Sequence, residues 1–222
     1  MNHTLNTPAV VVSDRRRKGE IAAVVATGLG KFILMDALDL RFLYISLACL
    51  GWLGYILYRA SQDKDVLVYW GLNRQAFRRT FLEFLPVALG LAGLFVLIGH
   101  QLGTHILSWH ILPILLIYPL WGIIQQFIMI GIMARNLKDL QRTHLSDKLI
   151  ILLTALVFAV VHFPYLWLVV ATFFLTLTYT FLYLRGRNLV VMGIFHGWMG
   201  AVYFYTIMAR DPWLEVFGRF FS

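Results

Sequence analysis

The chain has 222 residues, 60% of them hydrophobic and 14% charged, with a formal net charge of +8 at neutral pH. A soluble domain carries about a quarter charged residues. This shortfall, with a mean hydropathy of +0.75, excludes an ordinary soluble enzyme and points to a polytopic membrane protein. The single Cys49 excludes an intrachain disulfide and reads as a buried inert thiol, and no zinc-finger spacing of Cys and His occurs.

Residues 1–19 form a basic tail ending in Asp14-Arg-Arg-Arg-Lys-Gly19. No small-residue cleavage pattern follows it, so it reads as a flexible cytoplasmic tail rather than a cleaved signal peptide. Residues 20–209 read as one membrane bundle. Its first apolar run, 21–38, is interrupted by Lys31, with Asp36 as a partner five residues on. A tilted span and an interfacial helix are both open for it. Residues 42–58 are a span bracketed by Arg41 and Arg59. Residues 60–80 form a polar, basic connection, and 73–84 have the spacing of a surface helix. A span over 81–98 contains Pro86, and the connection 100–110 has three histidines (His100, His105, His110) but no Lys or Arg. The central span is 111–134. A basic connection, 135–148, carries Arg135, Lys138, Arg142 and Lys148. Further spans follow at 149–162, 165–184 and 189–208, then an amphipathic tail at 210–222.

The expected fold is therefore all-α, a bundle of about seven transmembrane helices. The Lys and Arg fall between apolar runs, which places 60–80, 135–148 and 185–188 in the cytoplasm and 100–110 outside. That distribution favours anionic lipid headgroups over nucleic acid as the partner of the basic residues.

Polar residues inside these spans are the candidates for chemistry, because an amide or imidazole turned to hydrocarbon costs free energy. The central span holds Gln125 and Gln126, and two later spans hold His162 and His196. All lie on the order of 10–20 Å deep at the helical rise. Phe158 and His162 share a helix face, as do His196 and Gly200. Imidazole is the usual metal ligand and a general base near neutral pH. Taken singly, each of these residues also reads as interhelical packing glue.

Three motifs carry a family resemblance. Gln125-Gln126-Phe-Ile-Met-Ile130 aligns with Glu-Glu-x-x-x-Arg, Phe158-Ala-Val-Val-His162 matches Phe-x-x-x-His, and His196-Gly-Trp-Met-Gly200 matches His-x-x-x-Asn at its histidine. In order and spacing, residues 70–208 resemble the CAAX protease and bacteriocin-processing (Abi) family of intramembrane endopeptidases. The resemblance implies a multi-pass protein, placed here in a bacterial inner membrane, that acts on a membrane-adjacent peptide. It assigns the catalytic positions to Gln126, His162 and His196, supported by Gln125, Phe158 and Gly200. His162 and His196 would hold a water directly or through a divalent metal such as zinc. Both glutamates are glutamines here. Glutamine keeps the shape but cannot take a proton, so a glutamate at 126 is expected to restore a base. The alternative reading is a non-catalytic relative that binds a membrane peptide or lipid as an assembly or regulatory factor.

Overall fold

In the computed structural model, which describes residues 10, 12–141 and 144–218, every regular element is helical and no strand occurs among the described residues. In chain order the helices are α1 (Asp14–Gly30, continued by a π-helical segment Lys31–Ala37), α2 (Arg41–Gln62), α3 (Asp65–Tyr69), α4 (Phe77–Leu102) and α5 (Ile111–Gln126). A second π segment (Phe127–Ala134) continues α5 into α6 (Arg135–Asp139). Then come α7 (Asp147–Val160), α8 (Leu166–Leu184), α9 (Leu189–Thr206) and α10 (Pro212–Phe217). Side-chain caps start several of them: Ser13 accepts from the Arg16 amide, Ser146 from Leu149 and Asn188 from Val191.

Among the described residues five helices have the length and apolarity to cross a membrane: α2, α4, the continuous α5–α6, α8 and α9. This is an integral membrane protein with five such helices where the sequence leads one to expect about seven. Helix α7 has 14 residues, a rise of about 21 Å against about 30 Å of hydrocarbon. It ends two residues before His162, in a turn.

Other expectations are corrected. Residues 77–84 do not form a separate surface helix but are the first turns of α4. The connection 60–80 contributes to the core through Val66 and Trp70, the latter 1% exposed. Asp14–Gly19 are helical where the sequence reads as tail. Arg142, most of the N-terminal tail and residues 219–222 lie outside the described residues. Lys31 finds the partners an interior lysine needs: it donates to Asp36 at 2.6 Å and to the Phe163 carbonyl at 2.7 Å.

The polar groups gather in two layers at opposite ends of the bundle. One layer joins α1, α2, α3 and α6. Arg17 donates to Tyr69 at 2.6 Å, Tyr69 donates to Asp139 at 2.6 Å, and Asn136 donates to Glu20 at 2.6 Å. Burial, and then its bond to Asp139, pushes the Tyr69 phenol up, so it stays a neutral donor. In the same layer Asn188 donates to the carbonyls of Asn73 and Gln75. The opposite layer joins 104–110 to 205–215. There the Ile106 amide bonds the Tyr205 carbonyl, His110 pairs with Asp211 at 2.7 Å, and Arg41 reaches Glu215 at 3.4 Å. Between the layers the core is aromatic and aliphatic, centred on Trp52, Trp70, Phe127 and Ile130.

Candidate functional site

The site is set by the crossing of α5 and α9. Gly122 stands against the Gly193 carbonyl and the Gly197 amide, and Gly193 stands against the Ile123 backbone. A Cβ on Gly197 would meet the Tyr118 carbonyl carbon and oxygen at 2.5 Å and Pro119 N at 2.6 Å. Backbone touches backbone, as small residues permit in membrane helix pairs. One turn along each helix lie Gln126 and His196, so this contact brings them together.

A paired substitution tests the point. Gly197→Ala should lower stability by about 1–3 kcal/mol, since the obstructing atoms are backbone and cannot rotate away. Gly200→Ala, three residues on with nothing within 4 Å of its Cβ, should be neutral or gain up to about 1 kcal/mol from helix propensity. Thermal unfolding in detergent checks both. Equal effects would mean that the crossing is not tight.

His196 lies between the two amides. Its Nδ1 accepts from Gln126 Nε2 at 3.2 Å, which leaves the proton on Nε2 to be donated to Gln125 Oε1 at 3.0 Å. The two glutamines differ in position. Gln126 is 0% exposed, and its Oε1 is buried without a partner among the described residues. Gln125, with His162, His196 and Gly200, lines a cavity of about 550 Å3. Gln126, expected at that cavity, instead stands behind His196 as its support. Glutamate at 126 would therefore bury a charge rather than present a base to the cavity.

His162 sits just past α7, where the chain turns into α8 through a cis peptide between Phe163 and Pro164. Its Nδ1 lies 2.7 Å from the Phe158 carbonyl. A carbonyl only accepts, so Nδ1 carries the proton and the Nε2 lone pair stays uncommitted. The Phe158 ring is 4.7 Å from the His162 ring and 5.7 Å from the His196 ring. The two imidazoles are thus one aromatic ring apart on one cavity. Lys31, which the sequence marks only as an interruption of a span, holds the Phe163 carbonyl beside His162 and lines the same cavity.

The donor set does not fit a zinc ion. Both nitrogens of His196 are bonded to amides, which leaves His162 Nε2 as the one uncommitted imidazole nitrogen, where a catalytic zinc takes three protein ligands. Among the described residues no cluster of three His, Cys, Asp or Glu side chains stands at ligand spacing. What the arrangement offers is a lone-pair base, His162 Nε2, and an amide donor, Gln125 Nε2, which has no protein partner among the described residues.

Residues 106–202 match the family model described as Rce1-like, type II CAAX prenyl endopeptidase Rce1-like. This stretch runs from just before α5 into α9 and includes Gln125, Gln126, Phe158, His162, His196 and Gly200, while Lys31 lies outside it. The family resemblance of the three motifs therefore holds, and at family level it is to an intramembrane endopeptidase of the CAAX-protease type. No curated protein and no solved structure matches the chain.

Proposed function

We propose that this protein is an intramembrane endopeptidase that hydrolyses a peptide bond in a membrane-adjacent segment, with His162 as the general base. One observation carries the reading: His162 Nδ1–H is pinned to the Phe158 carbonyl, which fixes the unprotonated Nε2 on the cavity that Gln125 and His196 share. In the reaction, Nε2 takes a proton from a water, whose oxygen attacks the substrate carbonyl carbon. The Gln125 amide donates to the oxyanion that forms. The C–N bond then breaks, and the amine leaves with the proton from His162. His196 holds Gln125 in place and is itself held by Gln126.

A second reading, a binding relative without hydrolysis, is favoured by a separate observation. Among the described residues no carboxylate meets either imidazole, and His196 has its full complement of neutral bonds. Gln125→Glu separates the two. If the Gln125 amide donates to the oxyanion, a carboxylate there repels it, and hydrolysis should fall by about 10²–10³-fold, the usual loss of one such donor. If the native protein only binds, the wild type cleaves nothing and Gln125→Glu gains activity, because it adds a base to an intact scaffold. Mass spectrometry of membrane-anchored test peptides, before and after incubation with each purified variant, gives the result. Hydrolysis unchanged by Gln125→Glu would remove Gln125 from both mechanisms.

A further inference from the structure

The two polar layers fix more than the packing, because the cavity belongs to only one of them. The basic segments are the start of α1, residues 59–79, residues 135–141 and 144–148 and the turn 185–187, and the contacts of Arg17, Asn136, Lys138 and Asn188 tie them to one end of the bundle. Of the 19 Lys and Arg in the chain, Lys31, Arg41 and Arg210 are the ones at the opposite end among the described residues. There they face acids: Lys31 pairs with Asp36, and Arg41 and Arg210 with Glu215. An asymmetry of this size puts the basic end in the cytoplasm.

The cavity is rimmed by that second group, Lys31, Asp36, Arg41, Arg210 and Glu215, and among the described residues no charged residue of the basic end lines it. It descends from the ion-paired rim past His162 to Gln125 and His196 near the middle of the bundle. One flank is apolar. Leu29 of α1 and Val160 of α7 both line the cavity and are 57% and 59% exposed, on the surface that faces lipid.

From this geometry we infer that the site is entered from the non-cytoplasmic side of the membrane, and that its substrate is a membrane-anchored polypeptide whose reacting segment emerges on that side. The inference rests on the proposed function for the word substrate, but the direction of entry stands on geometry and charge alone. A polypeptide anchored in the outer leaflet can rest its apolar anchor on the exposed Leu29 and Val160, while its polar segment passes the rim. From the basic end, the Ile130, Phe127 and Trp70 packing lies between the cytoplasm and Gln125, and the groove between α1 and α2 that begins at Arg15, Arg16 and Arg59 shares Thr27 and Tyr44 with the cavity but is lined by none of Gln125, His162 and His196.

The test is sided cysteine labelling of the full chain in native membranes, with Cys49→Ser to remove the native thiol. Leu107→Cys, at a position 93% exposed in the 103–110 connection, reports the expected outer face. Lys64→Cys, exposed between α2 and α3, reports the inner face. Gly200→Cys reports the cavity, since its Cβ direction is open and the residue lines the wall. A membrane-impermeant thiol reagent applied to right-side-out vesicles should modify Leu107→Cys and Gly200→Cys and spare Lys64→Cys; inverted vesicles should reverse the pattern.

Modification of Gly200→Cys only from the side that reaches Lys64→Cys, or from neither side, overturns the inference. The outcome is separable from the catalytic reading, because hydrolysis in detergent is blind to sidedness. Outside labelling without hydrolysis keeps the entry route and removes the endopeptidase, while hydrolysis with inside labelling does the reverse.

Discussion

Replacing His162 by alanine is expected to lower peptide-bond hydrolysis by about 10²–10⁴-fold, the range contributed by a positioned general base, while the bundle remains folded. The loss follows from the bonding of the ring. Its Nδ1–H is committed to the Phe158 carbonyl, 2.7 Å away, so Nε2 is the atom left to take a proton, and alanine removes it. The fold should survive because His162 lies in the turn between α7 and α8, outside the aromatic core and the α5–α9 crossing. Among the described residues the one hydrogen bond of its ring is to a carbonyl of the helix it follows. Thermal unfolding and single-turnover cleavage, measured on the same preparation, check both halves. His162→Gln is the informative companion. It retains a donor for the Phe158 carbonyl but supplies no base, so it should be as inactive as alanine. Activity retained by His162→Gln would show that His162 only positions the backbone.

The largest effect on stability is expected from Glu20→Ala, a loss of about 3–5 kcal/mol. Glu20 is the acceptor that joins three helices: it takes hydrogen bonds from Tyr55 and Arg59 of α2 and from Asn136 of α6. Arg59 is 4% exposed and its salt bridge to Glu20 is 3.0 Å. With Glu20 gone, the guanidinium stays buried with no carboxylate on it, and the desolvation cost, no longer offset, is what destabilises the bundle. The double substitution Glu20→Ala/Arg59→Ala should lose less than the sum of the single changes, because removing both leaves no uncompensated charge. Denaturation midpoints of the four proteins in one detergent complete the cycle. Additive losses would mean that the pair does not act as a unit. The same layer includes Arg17, Tyr69 and Asp139, so Glu20→Ala should also loosen α1 from α3 and α6.

The sequence by itself determined the class. The lack of charge and the length of the apolar runs leave only a membrane helix bundle, since backbone polar groups in hydrocarbon must bond within a helix. Within it, the histidines and the amide pair stand out because hydrocarbon makes each costly unless it is partnered. The three motifs, in their order, are enough for the family resemblance that the match over residues 106–202 bears out. Which side chains share a wall was not legible. Gln125 and Gln126 are chemically identical neighbours, and nothing in composition tells which faces the cavity. The rotation of α5 against α9 decides that, and it is fixed by the backbone contacts of Gly122, Gly193 and Gly197, far apart in the chain. The π segment Phe127–Ala134, with all eight residues buried, likewise has no local signal in an apolar run. The connection 60–80 reads as polar because its charges outnumber Val66 and Trp70, yet those two reach the core once α2 and α8 stand around them. Lys31 reads as a flaw in a span until α7 proves too short to cross. The turn after α7 then brings the Phe163 carbonyl to Lys31, and Lys31 stands at the rim of the cavity beside His162. Local hydrophobicity is written residue by residue, whereas the depth and facing of a polar group depend on where other helices end, and only the packed bundle sets that.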